Sequence, residues 1–167
     1  MKKLLFLAVM AISAQAILAQ APERKRASPR QKAENEYVTV NYGSPAKKGR
    51  VVFGQLEKFG SVWRIGADEA TEITFKKDGT FGGQAIKAGT YTMFARINQD
   101  AWEIILNTEL KQWGAYGYNK IKDKDVLTVK VPTQKTSGVV ENLTITANAG
   151  DLSIAWDETM VSIPYKF

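Results

Sequence analysis

The chain has no cysteine and no histidine. Their absence removes Ser-His-Asp and Cys-His catalysis, thiolate chemistry, haem ligation through these residues and the ordinary zinc site. No disulfide can staple the fold, so stability has to come from packing. No glycine-rich loop stands between a strand and a helix, so a phosphate cradle or dinucleotide fingerprint has no support. Lys48-Gly49-Arg50 is too short to be either. No stretch sustains three or four turns of helical periodicity. No cofactor is implied, and no metal: Asp123-Lys124-Asp125 lacks the ligand spacing of an EF-hand loop and sets a lysine between its carboxylates.

What is present begins with a leader. Met1-Lys2-Lys3 precedes an apolar run from Leu4 through Ile12, followed by small residues. That layout predicts a cleaved secretory signal over residues 1–19, cut between Ala19 and Gln20, with Ala14-Gln15-Ala16 as an earlier alternative. Pro22 disfavours a cut after Ala21. The run is shorter than the roughly 20 residues of a spanning helix, and Ser13, Gln15 and Gln20 interrupt it. No later stretch is long and apolar enough to span a bilayer, and no cysteine follows the run to carry a lipid. The expected location is therefore exported, periplasmic or extracellular.

The formal charge of +6 is unevenly placed. Lys2 and Lys3 belong to the leader. Arg24, Lys25, Arg26, Arg30 and Lys32 stand against Glu23 alone, which leaves residues 33–167 net neutral. Nucleic-acid binding needs cations spread over a folded face, so no nucleic acid is expected as a partner. The basic stretch 23–32 is read as a solvated segment in preference to a membrane-contacting arm. With Pro22, Ser28 and Pro29 and no periodicity, residues 20–35 read as a flexible lead-in, and residues 36–167 as a single domain.

Within that domain the period is two. Strands are expected over Tyr37–Tyr42, Arg50–Phe53, Val62–Ile65, Thr71–Lys76, Thr90–Ile97, Ala101–Asn107, Val126–Val131, Val139–Ala147, Leu152–Trp156 and Thr159–Tyr165, with Asp78-Gly79 as a hairpin signal and Pro164 marking an edge. Tyr91, Met93, Ala95 and Ile97 fall on one face, and Thr92, Phe94 and Arg96 on the other. Trp102, Ile104 and Leu106 share one side of their strand. About ten short strands separated by turn residues predict an all-β fold, a single β-sandwich of jelly-roll or other topology.

Carboxylates, amides, aromatics and basic side chains remain for function. Asn107 and then Gln112-Trp113-Gly114-Ala115-Tyr116-Gly117-Tyr118-Asn119 put aromatics beside glycines and amides. That combination stacks on sugar faces and orients flat ligands, although the same aromatics would equally plug one end of a sandwich. Asp68-Glu69 offers two carboxylates, but neighbours on an extended strand point to opposite faces, so they are not each other's catalytic partner.

These segments carry a family resemblance. Lys48-Gly49-Arg50, Phe53-Gly54-Gln55-Leu56, the run Phe59 to Thr71, Ala88-Gly89-Thr90-Tyr91, Trp102 with Ile105 and Asn107, and Gln112 to Tyr116 with Tyr118 resemble, in order, the domain of unknown function 2911 family. The resemblance spans roughly residues 28–165. It implies an exported protein of Bacteroidetes-type bacteria and brings no activity with it. Glu57-Lys58 stands where the family pattern has Val-Pro, Asp68 where it has Asn, and Asn119 where it has Asp. Arg50, Arg64, Glu69 and Trp113 follow the pattern.

The leading expectation is a non-enzymatic ligand-binding or interaction module of the cell envelope, taking a small molecule or an envelope glycan. Its site would combine Arg50, Trp63, Arg64 and Glu69 with Asn107, Trp113, Tyr116 and Tyr118. Two alternatives stand beside it. One is a glycan hydrolase using Glu69 and a second carboxylate some 5–10 Å away. The other is a structural role in which Arg64 and Glu69 form a buried ion pair.

Overall fold

The computed structural model describes residues 25–167, so the expected leader and its cleavage site lie outside the described residues. Alternation translates directly into strands. In chain order they are β1 (Arg30–Glu34), β2 (Val38–Gly43), β3 (Val62–Trp63), β4 (Thr71–Phe75), β5 (Gly79–Phe81), β6 (Gln84–Ile86), β7 (Gly89–Ile97), β8 (Ala101–Asn107), β9 (Asp125–Pro132), β10 (Gln134–Ala147) and β11 (Asp151–Lys166). Two antiparallel sheets result. The larger runs β1-β2-β4-β7-β8-β9, with β3 also on β7; the smaller runs β10-β11-β5-β6. They face each other as a sandwich, as the alternation predicted.

The core lies between the sheets. Val38, Val40, Ile73, Met93, Ile97, Trp102, Ile104 and Leu106 come from the larger sheet, Leu143, Ile154, Trp156 and Ile163 from the smaller, and all are buried. Full burial of side chains this size contributes roughly 1.5–3 kcal/mol each, which accounts for a fold without disulfides. Phe53 reaches into its centre, with ring centroids 5.7 Å from Trp63, 4.9 Å from Trp102 and 6.2 Å from Trp156.

Four local expectations change. The stretch 20–35, expected to be a flexible lead-in, contains β1, which pairs with β2 from Arg30↔Gly43 to Glu34↔Thr39. Arg50–Phe53 is a tight loop instead of a strand, closed by Leu56 N–H on Val51 O and Glu57 N–H on Val52 O. Asp78-Gly79 does not turn a hairpin; it carries the chain from β4 in one sheet to β5 in the other, and the hairpin forms at Gly82-Gly83, both at positive φ. Leu152–Trp156 and Thr159–Tyr165 are one strand, β11, which lies inside its sheet. Pro164 is tolerated there because the β10 ladder ends at Met160 and the β5 ladder starts at Tyr165, so no partner needs its missing N–H.

One further feature positions the site. β3 and β4 lie end to end along the same side of β7: Trp63 pairs with Ala95, and Thr71 with Met93. The residues between them, Arg64 to Ala70, must leave the sheet and return. The outer face of β7 and β8 is covered by residues 108–124, where Ala70, Phe94, Ile105 and Tyr118 make a small second core.

Candidate functional site

The loop from Arg64 to Ala70 is held in an unfavourable backbone. Ile65 has φ 52° and Asp68 φ 64°. The left-handed region costs a β-branched residue most, on the order of 1–3 kcal/mol, whereas Asp and Asn tolerate it. This tolerance suits an aspartate to position 68. The surroundings enforce the conformation. Thr71 Oγ1 donates to Ile65 O at 2.6 Å, and Thr71 N–H donates to Arg64 O at 3.0 Å. The Asp68 carboxylate accepts the backbone N–H groups of Ala27 and Ser28 at 3.0–3.1 Å. The loop also rests directly on β2, where a Cβ on Gly43 would lie 2.2 Å from Ala67 O.

The two segments singled out in the sequence touch. Ala70 N–H donates to Gln112 O at 2.8 Å, Gly114 N–H donates to Asp68 O at 2.9 Å, and Glu69 forms an antiparallel bridge with Trp113. Their side chains nevertheless go to different places, and the eight expected site residues do not share one surface.

Trp63 is 1% exposed and belongs to the central aromatic cluster, stacked on Trp156 at 5.9 Å. Asn107 is fully buried; its amide donates to Ile121 O and Asp125 Oδ1, both at 2.7 Å, and its oxygen accepts Glu109 N–H at 2.8 Å. Tyr118 packs edge-on against Phe94 and donates to Asp125 Oδ2 at 2.6 Å. Burial, with the Asp125 carboxylate beside it, pushes the Tyr118 phenol up to about 12. Asn107, Tyr118 and Asp125 thus form a satisfied polar knot that clamps residues 108–124 onto the sheet. Tyr116, by contrast, is 88% exposed, and Trp113 is half-buried.

Arg64 and Glu69 are likewise separated. Glu69 is paired with Arg26 and with Arg30, the latter at 3.1 Å, in a cleft of about 440 Å³ also lined by Asn41, Glu72 and Lys111. The expected Arg64–Glu69 ion pair is therefore replaced by partners from the basic lead-in. Nothing in the composition of residues 23–32 marks Arg26 and Arg30 as partners of a carboxylate some forty residues further along the chain. The other carboxylate lining this cleft is Glu72, which accepts Lys111 N–H at 2.8 Å.

Arg64 lines a second cleft, of about 390 Å³, together with Arg50, Lys48, Glu57 and Asn142, over a floor that includes Trp156. Ala27, Ser28 and Pro29 form part of its wall. Arg50 is exposed and its guanidinium is fixed by Lys47 O and Ala46 O, both at 2.7 Å. Arg64 is half-buried, and its Nε is buried with no hydrogen-bond acceptor among the described residues. Burial raises the pKa of the Glu57 carboxyl, opposed by the Arg64 and Arg50 charges. Lys48, Glu57 and Asn142 were not anticipated. Lys48 sits in a triplet too short to weigh alone, Glu57 lies in a loop without strand periodicity, and Asn142 comes from β10, nearly eighty residues further along the chain than Arg64.

Chemically, this second cleft concentrates positive charge around an unsatisfied donor. A family model described as protein of unknown function (DUF2911) matches residues 24–165. No curated protein and no solved structure matches the chain.

Proposed function

The chain belongs to the DUF2911 family, and from that premise we propose that it is a non-enzymatic binding module of the cell envelope, exported by its leader to the periplasm or beyond, that holds an anionic polar ligand between Arg50 and Arg64. The observation that carries this reading is the Arg64 guanidinium, which lines the cleft and whose Nε is buried without an acceptor among the described residues. A buried donor left unpaired costs about 1–3 kcal/mol. A ligand carboxylate or phosphate in the cleft would offset that penalty by a charge-assisted hydrogen bond to the Arg64 guanidinium. Arg50 is pre-positioned by two backbone carbonyls, so little side-chain entropy is lost when it engages the same anion. Asn142 supplies an orienting amide, which suits acidic sugars.

Binding is favoured over hydrolysis by the way the carboxylates are deployed. Glu69 is occupied by two guanidiniums, and Glu57 sits among the cations of the other cleft. The test is thermal unfolding of wild type and Arg64→Gln with glucuronate-bearing oligosaccharides and sugar phosphates. A ligand at a hundred times its dissociation constant stabilises by about 2.7 kcal/mol. The expected result is a rise in melting temperature of several degrees for wild type with at least one of these anions, absent in Arg64→Gln. No shift with any of them, or an equal shift in the variant, would refute the proposal.

A further inference from the structure

The loop that bears Arg50 places three large apolar side chains in solvent: Val51 at 52%, Leu56 at 39% and Phe59 at 45% exposure. Single exposed apolar residues need no explanation. These three lie within nine residues and are drawn together by the loop's own structure. Leu56 N–H donates to Val51 O at 3.2 Å, and the Phe59 ring covers Gly54 so closely that a Cβ there would come within 2.9 Å of it. The loop is not loose, because Phe53 anchors it among Trp63, Trp102 and Trp156. An apolar tip is therefore held outward on a rigid base.

The rim of that tip is cationic. Lys48, Arg50 and Lys58 are all exposed, while the loop's one carboxylate, Glu57, is half-buried in the cleft wall. Apolar side chains flanked by basic ones are the pattern of a surface that enters the headgroup layer of an anionic membrane. The cleft is continuous with this tip, since Leu56 and Arg50 line both. In the basic lead-in, Arg26 and Arg30 are paired with Glu69 and Lys32 with Glu34.

We propose that the loop 51–59 docks on an anionic phospholipid bilayer, with Val51, Leu56 and Phe59 entering the interface and a lipid headgroup phosphate entering the cleft between Arg50 and Arg64. The proposal rests on the anion-binding reading of that cleft and identifies the anion as one presented by a membrane.

Sedimentation with vesicles tests it, using residues 20–167, which include every strand of the sandwich. Vesicles of phosphatidylcholine containing about one-third phosphatidylglycerol are compared with phosphatidylcholine alone, since each basic residue near an anionic surface adds about fivefold to partitioning. The expected result is at least about tenfold stronger binding to the anionic vesicles. Leu56→Ser and Leu56→Ser/Phe59→Ser should each weaken it severalfold at an unchanged melting temperature, and Arg64→Gln should weaken it as well. The single variant keeps the test valid if the double one unfolds.

Equal binding to both vesicle types, or anionic-vesicle binding indifferent to Leu56→Ser, overturns the proposal. Vesicle binding untouched by Arg64→Gln overturns the placement of the phosphate. If soluble glycerol phosphate or an acidic sugar stabilises the wild type through Arg64 while vesicles do not bind, membrane docking fails and the anion-binding reading survives. If none of these ligands binds, both fail.

Discussion

Replacing Gly43 by alanine should be one of the most damaging single-methyl changes in this protein. The reason lies in how the Arg64–Ala70 loop crosses β2. A Cβ at position 43 would sit 2.2 Å from Ala67 O and 3.1 Å from Ala67 C, which are backbone atoms that no rotamer can move. Ordinary carbon–oxygen contact would require the loop to lift by about 1 Å, where packed interiors offer no slack. The loop is held from three directions, by Thr71 on Ile65 O, by Ala27 and Ser28 on Asp68, and by Gly114 on Asp68 O. Overpacking of this kind costs about 1–3 kcal/mol. Alanine recovers about 0.4–1 kcal/mol by stiffening the unfolded chain, so the net loss should be about 1.3 kcal/mol. For a domain of this size that corresponds to a melting temperature lower by about 3–5 °C. Gly138→Ala is the matched control: it lies in β10 with nothing within 4 Å of an added Cβ, so it should be neutral or slightly stabilising. Equilibrium urea denaturation followed by circular dichroism reads both variants, with the difference in midpoints at equal slope giving the change. A Gly43→Ala protein within about 0.5 kcal/mol of wild type, or a response matching that of Gly138→Ala, would show that the loop does not bear on β2 as described.

Two further outcomes follow from the buried polar groups. Because the folded state pushes the Tyr118 phenol up to about 12, against 10.0 for an unperturbed tyrosine, its contribution is fully present below pH 10 and is lost as pH rises toward 12. Tyr118→Phe should flatten that alkaline loss and cost about 1 kcal/mol at neutral pH by removing one donor from Asp125, as measured by denaturation across pH. The folded-state pKa of Glu57 is raised by burial, so its ionisation opposes folding at neutral pH and ceases to do so below the ordinary carboxyl value of 4.5. Glu57→Gln should therefore stabilise the protein at pH 7, lose that gain below about pH 4, and tighten anion binding beside Arg64.

The sequence was legible where one side of a strand meets the core. Tyr91, Met93, Ala95 and Ile97, and Trp102, Ile104 and Leu106, are buried as their alternation required. It was illegible where pairing is carried by backbone alone. Arg-Gln-Lys-Ala-Glu of β1 has no apolar alternation, because it lies on an edge with its charged side chains in water, and its place is set by hydrogen bonds to β2. The short β5 and β6 were hidden for want of length. The candidate site divides the same way. That the Trp63–Glu69 and Trp113–Tyr118 segments contain unusual residues was visible. That Trp63 and Asn107 turn inward while Arg64 opens to a cleft was not, because the loop departs from strand periodicity at two left-handed residues. The partners of Glu69 and the amide of Asn142 come from distant stretches of chain that only the topology brings near.

The aromatic cluster at the centre has an optical consequence. Three of the four tryptophans cluster around Trp63, which lies 5.7 Å from Trp102 and 5.9 Å from Trp156. Phe53, which abuts all three, is a residue of the apolar loop, and Trp156 borders the cleft beneath Arg64. The emission of these three tryptophans thus originates where the two surfaces join, so a shift in its colour or lifetime registers occupancy of the cleft and movement of the loop from inside the molecule, without a dye on either.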